Sequence, residues 1–269
     1  MTPTGTSDSV ILSSIEDRIG TISLNRPEVL NAFNLALARR FLATLDEFGQ
    51  DDGVRAVVIR GHGRVFSAGG DIREMLSCVR GGEDRAAYFR EPLSAFGEIV
   101  LGLRRTPKPV LTAVHGAVAG VAFNVMLACD LTMAAEKTRF AQAFVKLGLS
   151  PDGGGTWFLP RLVGYARACE LTLLPTELDA ATAQAWGLIN WVVPEEEFEA
   201  RVRETALRLA SGPAAGMARA KALLDSAYQL DLASQIEAER LAQVENAASA
   251  DFDEGLTAFV EKREPRFGR

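Results

Sequence analysis

The 269-residue chain has the composition of an ordinary folded protein, with 48% hydrophobic, 24% charged and 7% aromatic residues. These fractions exclude wholesale disorder, and the length allows one large domain or a domain with an appendage. The chain carries 29 Lys and Arg against 35 Asp and Glu, a formal net charge of −6. That balance argues against a general nucleic-acid-binding protein, which needs a basic face.

The sequence offers no framework for a metal ion or for disulfides. Cys78, Cys129 and Cys169 are far apart without a CxxC spacing, and there are only two histidines. We therefore expect no metal, no disulfides and a reducing cytoplasm. We expect no secretory signal in residues 1–9, and no membrane span, because Pro, His, Asn and Gly interrupt the most apolar run, residues 109–131.

Strand and helix patterns alternate along the first part of the chain. Val10–Ile15 and Gly20–Leu24 predict a β-hairpin, because two β-rich runs flank a polar turn. Asn34–Phe48 has the apolar spacing of an amphipathic helix, and Ala56–Ile59 (AVVI) predicts a strand buried on both faces. An α/β fold with crossover connections follows from this alternation.

Two further apolar runs, Pro109–Val114 and Leu131–Ala134, also predict buried strands, and the pattern becomes helical from about residue 195. Four consecutive helices are predicted there: Glu195–Leu209, Ala214–Tyr228, Leu232–Ala248 and Phe252–Lys262. We therefore divide the chain into a core at residues 1–194 and a C-terminal helical region at residues 195–269. That region is expected to dock on the core or on a neighbouring subunit.

Glycine-rich turns are the segments most able to carry chemistry. Phe66–Ile72 (FSAGGDI) and His115–Val121 (HGAVAGV) each follow a predicted strand and precede a helical pattern. Free backbone N–H groups at two such helix starts would form an oxyanion hole if they converged. The alternative from spacing alone is that the glycines only permit tight turns. Neither turn matches a GxxxxGK[ST] or GxGxxG phosphate loop.

Two aspartates accompany these turns. Asp71 fits a capping box with Glu74, which favours a helix cap. Asp152 lies among the glycines of Gly148–Thr156, where it is either a helix N-cap or a base exposed in a cleft. Asn124 lies one helical turn after Val121, on a helix of unknown orientation. The histidines lack a spaced nucleophile or carboxylate partner, so a catalytic triad is not supported.

At these residues the sequence resembles the crotonase superfamily of enoyl-CoA hydratases and isomerases. The motifs that carry the resemblance are LNRP at 24–27, NA at 31–32, FSAGGDI at 66–72, AVHG at 113–116, ACD at 128–130, DGGGT at 152–156 and LVG at 162–164. They cover almost the whole chain. The resemblance implies a spiral of ββα units followed by C-terminal helices, in a homotrimer or a hexamer.

The resemblance also implies roles for individual residues. The N–H groups of Gly70 and Val121 would hold the thioester oxygen of an acyl-CoA substrate, a polarisation that stabilises an enolate. The residues expected around the acyl-CoA are Ala32, Ala68, Asp71, Ile72 and Phe144. Coenzyme A would be part of the substrate, and no separate cofactor is expected.

The departures from the family pattern indicate the reaction. Hydratases of this family position a water with two glutamates, and Asn124 and Phe144 stand at those places. We therefore expect poor hydration, with Asp152 as a lone proton shuttle and Asn124 orienting the substrate by a hydrogen bond. Phe144 would raise the basicity of Asp152 by excluding water. The segments around Asn124 and Asp152 resemble the 1,2-epoxyphenylacetyl-CoA isomerase type.

The sequence thus predicts an acyl-CoA isomerase acting on an enoyl-CoA or on a ring-epoxide phenylacetyl-CoA. A hydratase with a second carboxylate, and a catalytically weak acyl-CoA-binding protein, are the alternatives. Candidates for that second carboxylate are Glu74, Glu83 and Glu91. RNA binding is disfavoured by the net charge, although Arg104, Arg105 and Lys108 form a small basic cluster. Phe259 and Lys262 are expected to reach the CoA site of a neighbouring subunit.

Overall fold

The alternation of strands and helices is present in a computed structural model, which describes residues 9–268. The strands are β1 (Ile11–Glu16), β2 (Ile19–Leu24), β3 (Ala56–Gly61), β4 (Val110–Val114), β5 (Ala117–Ala119), β6 (Leu131–Ala135), β7 (Arg139–Ala141), β8 (Glu177–Asp179) and β9 (Trp191–Val193). The helices are α1 (Leu35–Gln50), α2 (Ile72–Gly81), α3 (Arg85–Arg105), α4 (Val121–Leu127), α5 (Gly155–Val163), α6 (Tyr165–Leu173), α7 (Ala180–Ala185), α8 (Phe198–Ala210), α9 (Ala214–Ser226), α10 (Leu232–Ala247) and α11 (Ala250–Glu261). Most of the segment that bears on a secretory signal lies outside the described residues.

The main sheet has six strands in the order β1-β2-β3-β4-β6-β9. β1 and β2 form the predicted antiparallel hairpin, and the other neighbouring pairs are parallel. In β3, Val57 and Ile59 face one apolar core, while Ala56 and Val58 face a second core on the opposite side. A strand covered on both faces needs an uninterrupted apolar sequence, which explains the AVVI run.

Helices cover both faces of this sheet. The larger core contains Phe41 of α1, Ile99 of α3 and Phe123 of α4. On the other face, α8 buries Phe198 and Val202 against the sheet. Helix α8 is the helix that packs in this second core cluster. The division at residue 194 into a core and a C-terminal helical region stays a prediction.

A small second sheet, in the order β5-β7-β8, joins the glycine-rich turns to the body of the protein. Strand β5 lies inside the second turn and pairs with β7. Isolated bridges connect Ser67 to Val118 and Phe33 to Gly70, so the two turns are held side by side. Each turn leads into a helix as predicted, and α2 begins after its N-cap, Asp71.

Helices α9, α10 and α11 follow the core, close to the predicted bounds. Helix α10 has no buried residue, and the one buried residue of α9 is Lys221. Between residues 9 and 268, no helix has the length and apolar character needed to cross a membrane. Over the same residues, no group of three or more His, Cys, Asp or Glu side chains is arranged to hold a metal ion.

Candidate active site

A cavity of about 560 Å³ lies between the two glycine-rich turns, helices α2 and α3, and the segment that precedes α5. Apolar side chains form much of its wall: Phe33, Ile72, Met75, Phe89, Pro92, Leu93, Phe96, Val121, Phe144, Leu147 and Leu149. The polar side chains that line it are Asn34, Asp71, Tyr88, Lys146, Ser150 and Asp152. Such a surface suits an apolar group that carries a few polar atoms.

The N–H group of Gly70 is free to bind a ligand in this cavity. The carbonyl of Gly69 accepts a hydrogen bond from Phe33 N at 2.7 Å, and Asp71 N donates to the Phe33 carbonyl at 2.9 Å. In a trans peptide the C=O of one residue and the N–H of the next point in opposite directions. The Gly70 N–H therefore points away from Phe33, and Gly70 itself lines the cavity.

The N–H of Val121 is oriented by the same rule. The Gly120 carbonyl accepts from Asn124 N along α4, so the Val121 N–H points out of the helix N-terminus, where it has no partner within the helix. The two turns touch, since a Cβ on Gly69 would lie 2.9 Å from the Ala119 oxygen. Gly69 also has a φ of +99°, which favours glycine. The backbone thus brings two potential donors to one cavity.

Asp152 is the carboxylate that this arrangement leaves uncommitted. It is half-buried in the cavity wall, and its Oδ1 is buried without a hydrogen-bond partner among the described residues. Burial raises the pKa of the Asp152 carboxyl from 3.8 to about 6. Its side chain does not cap α5, whose N-cap is Gly154. An acid with this pKa can both take up and release a proton near neutral pH.

Asn124 is not among the residues that line the cavity, and its expected hydrogen bond to the substrate stays a prediction. The side chain is fully buried in α4, and both of its polar atoms have protein partners. Its Nδ2 donates to the Asp152 carbonyl at 2.8 Å, and its Oδ1 accepts from Gln142 Nε2 at 2.6 Å. The contacts of Asn124 are therefore with the turn that carries Asp152.

The residues expected around the acyl-CoA are not equally placed. Ala68, Asp71, Ile72 and Phe144 line the cavity. Ala32 is buried beside it, and its carbonyl accepts a hydrogen bond from Arg26 Nη1 at 2.6 Å. Any contact of the Ala32 segment with a ligand in this cavity therefore falls to the next two residues along the chain, which do line it.

Asp71 has the structural role that its capping box predicts. Its Oδ1 accepts from the N–H groups of Arg73 and Glu74, and its Oδ2 pairs with Arg26 Nη2 at 2.8 Å. These contacts occupy the carboxylate although it lines the cavity. Asp71 is consequently a poor candidate for a second catalytic base.

None of the three candidate glutamates is among the residues that line the cavity. Glu74 accepts a hydrogen bond from Asn34 Nδ2 at 2.5 Å, and Glu91 forms an exposed ion pair with Arg39. Glu83 lies in the loop between α2 and α3. Of the two carboxylates that line the cavity, Asp71 is paired with Arg26, and Asp152 is the one whose Oδ1 has no partner among the described residues.

Sequence reasoning missed two residues at this site. Tyr88 lines the cavity from α3, and burial, together with the charges of Glu74 and Asp71, raises the pKa of its phenol to about 12. Gln142 is fully buried and binds Asn124. A single tyrosine in a polar helix and a single glutamine in an apolar run give no pattern that would have identified them.

The curated relatives of this chain include proteins named as isomerases and proteins named as probable enoyl-CoA hydratases. The chain is 38% identical to 1,2-epoxyphenylacetyl-CoA isomerase of Escherichia coli (strain K12), over 96% of this chain and 97% of the relative. It is 36% identical to trans-2-decenoyl-[acyl-carrier-protein] isomerase of Streptococcus mutans, with the same two coverages.

Solved structures confirm the predicted crotonase fold. The crystal structure of an enoyl-CoA hydratase from Polaromonas sp. JS666 matches with a TM-score of 0.91 and 31% identity, over 96% of this chain and 99% of that one. An enoyl-CoA hydratase from Bacillus anthracis matches with a TM-score of 0.89 and 31% identity, over 96% and 98%. The family model for enoyl-CoA hydratase/isomerase matches residues 14–269. The chain therefore belongs to the enoyl-CoA hydratase/isomerase family, within the crotonase superfamily.

Proposed function

We propose that this enzyme is an acyl-CoA isomerase that works through a thioester enolate, with Asp152 as the proton shuttle. The observation that carries the proposal is the state of Asp152: one uncommitted carboxylate, with a raised pKa, in the wall of an apolar cavity. Gly70 and Val121 line the same cavity, and their N–H groups donate to no backbone carbonyl among residues 9–268. A single acid that gives back the proton it has taken catalyses isomerisation without net consumption of water.

The proposed steps conserve all atoms. With a 3-enoyl-CoA, the Asp152 carboxylate removes a proton from the carbon next to the thioester carbonyl. The electrons move onto the carbonyl oxygen, which accepts hydrogen bonds from Gly70 N–H and Val121 N–H. The protonated Asp152 then returns the proton to the far end of the dienolate, and the product is the conjugated 2-enoyl-CoA. A ring-epoxide phenylacetyl-CoA is the second substrate in this proposal.

The surroundings of Asp152 favour isomerisation over hydration. Hydration in this family needs two carboxylates around one water. The cavity wall contains two aspartates, Asp152 and Asp71, and Asp71 already pairs with Arg26. Phe144, 8% exposed, fills one of the two glutamate positions with an apolar ring. We therefore propose that added water is not part of the reaction, and that no cofactor besides the CoA portion of the substrate is needed.

A spectrophotometric assay with two substrates tests the proposal. Isomerisation of a 3-enoyl-CoA creates the absorbance of the conjugated thioester, whereas hydration of a 2-enoyl-CoA removes it. We expect a rapid gain with the first substrate and little loss with the second. Rapid loss with the second would establish a hydratase. CoA-thioester binding without either change would establish a binding protein.

Substitution of Asp152 tests the assignment of the base. We expect Asp152→Asn to lower kcat for the 3-enoyl-CoA by about 100- to 10,000-fold, because the amide cannot carry the proton. Asp179→Asn is the matched control, since Asp179 caps α7 away from the cavity and Asn is an equally good cap. Full turnover in Asp152→Asn would refute the shuttle.

We also propose that the enzyme is cytoplasmic, a homotrimer or a hexamer, and not an RNA-binding protein. The three cysteines are free, which fits a reducing compartment. The cations of the small basic cluster are engaged: Arg104 pairs with Asp130 and Asp225, and Lys108 Nζ donates to a backbone carbonyl. These contacts leave little free positive charge for a phosphate backbone.

A further inference from the structure

Gln142 occupies a position from which it can control the turn that carries Asp152. It follows β7 directly and is fully buried. Its Nε2 donates to Asn124 Oδ1 at 2.6 Å, and Asn124 Nδ2 donates to the Asp152 carbonyl at 2.8 Å. The three residues thus form one chain of hydrogen bonds behind the cavity wall.

The donor-to-acceptor direction of these hydrogen bonds follows from the group at the end of the series, the Asp152 carbonyl. The Asp152 carbonyl can only accept, so Asn124 must present its NH₂ group to it, and its oxygen must face Gln142. Gln142 must then supply an N–H donor. Asn124 packs directly on Gly155, because a Cβ on that glycine would lie 2.5 Å from Asn124 Oδ1. The amide of Asn124 fills the space that the glycine leaves.

The same series of hydrogen bonds joins three parts of the proposed catalytic site. Asn124 is on α4, whose first residue, Val121, carries one oxyanion donor. Gln142 precedes Phe144, which lines the cavity, and the neighbouring Ala141 carbonyl accepts from Gly120 N at 3.0 Å. Removal of the Gln142 side-chain donor would therefore change the placement of Asp152 relative to α4, the helix whose N-terminus is proposed to bind the thioester oxygen.

We propose that Gln142 is a positioning residue for the proton shuttle: through Asn124 it fixes the turn of Asp152 relative to the N-terminus of α4. The proposal rests on the isomerase function proposed above. Gln142 touches no substrate, and its effect is on the distance and orientation between the carboxylate and the carbons that exchange the proton. An error of about 1 Å in such a placement can lower the rate about 100-fold.

Gln142→Met tests the role of the donor, because Met keeps the length of the side chain and removes its N–H. We expect kcat for the 3-enoyl-CoA to fall about 10- to 100-fold with KM within about threefold, since the cavity wall itself is unchanged. Gln184→Met is the matched control: Gln184 Nε2 also donates to a backbone carbonyl, that of Asn190 at 3.0 Å, but outside the cavity. We expect its kcat and KM to equal those of the wild type.

The pH profile supplies a readout that a loss of stability alone would not move. In the wild type we expect kcat/KM to rise with pH through about 6, because the Asp152 base must be ionised. The other ionisable side chains that line the cavity are Asp71, Tyr88 and Lys146, and the cause of the shift is burial rather than their charges. A turn released in Gln142→Met admits water, so this acid limb should move to lower pH.

The outcomes separate the two proposals. If the wild type isomerises the 3-enoyl-CoA and Asp152→Asn does not, the proposed function is supported, whatever the result for the Gln142 variants. A Gln142→Met enzyme with a lower Tm but unchanged kcat and unchanged acid limb would overturn the positioning role. If Gln142→Met does not fold, Gln142→Asn decides instead. It keeps the amide but is one methylene shorter, and we expect the same loss of kcat, whereas a wild-type kcat would reject the proposal.

Discussion

At the scale of single residues, Asp152 links catalysis to stability. Its pKa of about 6 in the folded protein exceeds the ordinary value of 3.8, so the folded state holds its proton more tightly than the unfolded chain does. Below pH 3.8 the carboxyl group is protonated in both states, and its burial then costs no free energy of unfolding. As the pH rises to about 6 the folded state loses stability, by on the order of 3 kcal/mol for a difference of this size.

Asp152→Asn should therefore be more stable than the wild type above pH 6, because the amide places no charge in the cavity. The advantage should reach about 2–3 kcal/mol at pH 8 and shrink towards zero near pH 4. Urea unfolding of both proteins at several pH values measures it. Asp179→Asn is the control: the hydrogen bond with Thr182 lowers the pKa of Asp179 below 3.8, so the effect of that substitution should stay nearly constant from pH 5 to pH 8. A difference that stays constant from pH 4 to pH 8 would mean that Asp152 is not buried as described.

Residue roles could be predicted from the sequence only where a motif carries them. The turn motifs led to Gly70, Val121 and Asp152, and the structure places all three at one cavity. The contacts of Asn124 could not be predicted, because α4 is buried on every side and so shows no polar face that would reveal its orientation. Gln142 could not be identified either, because its partner, Asn124, is distant in sequence.

At the scale of elements, α9 is anchored to the core by a lysine. Lys221 is buried, and its Nζ donates to the carbonyls of Leu103 and Lys108 and to Asp130 Oδ2 at 2.8 Å. We expect Lys221→Met to lower the free energy of unfolding by about 3 kcal/mol, because it leaves Asp130 and two carbonyls short of a partner. Urea denaturation measures the loss.

The control for this prediction is an exposed ion pair on the next helix. Arg240 pairs with Glu237 within α10, and both side chains are more than half exposed. Arg240→Met should change the stability much less, because solvent screens an exposed ion pair. If Lys221→Met cost no more than this control, the buried network would not be what holds α9 in place.

Predictability of the elements depended on their length and on their partners. The apolar runs of β3 and β4 identify them as buried strands, since only a sheet covered on both faces requires such runs. The strands β5, β7 and β8 have three residues each, too few to show an alternating pattern. The apolar stripe of α8 predicts a helix but does not say which surface it covers, and the structure packs it against the main sheet.

At the scale of the whole molecule, the C-terminal helices leave a large apolar surface uncovered. Leu232, Ile236, Leu241 and Val244 of α10 are at least half exposed, and Phe259 of α11 is 83% exposed. Their pattern predicts helices correctly, but a single sequence does not show which apolar side chains contact a second subunit. The reach of Phe259 and Lys262 to a neighbouring CoA site stays a prediction of the family resemblance.

The proposed trimer gives this surface a partner, and α10 is where it can be tested. Helix α10 has no buried residue and so gains little from packing on its own chain, and we propose that a second subunit covers it. We expect the wild type to be a trimer or a hexamer in light scattering after size exclusion. Ile236→Asp together with Val244→Asp should weaken the association by well over tenfold, since two charges would have to be buried.

The control makes the same change at another surface. Ile15 is an exposed apolar residue in β1, at the edge of the main sheet, and Ile15→Asp should leave the association unchanged. An α10 variant that stays fully associated would place the subunit contact elsewhere, and a monomeric wild type would remove the trimer altogether. If α10 is the interface, the monomeric variant should also lose helical content in circular dichroism, because no residue of that helix is buried within its own chain.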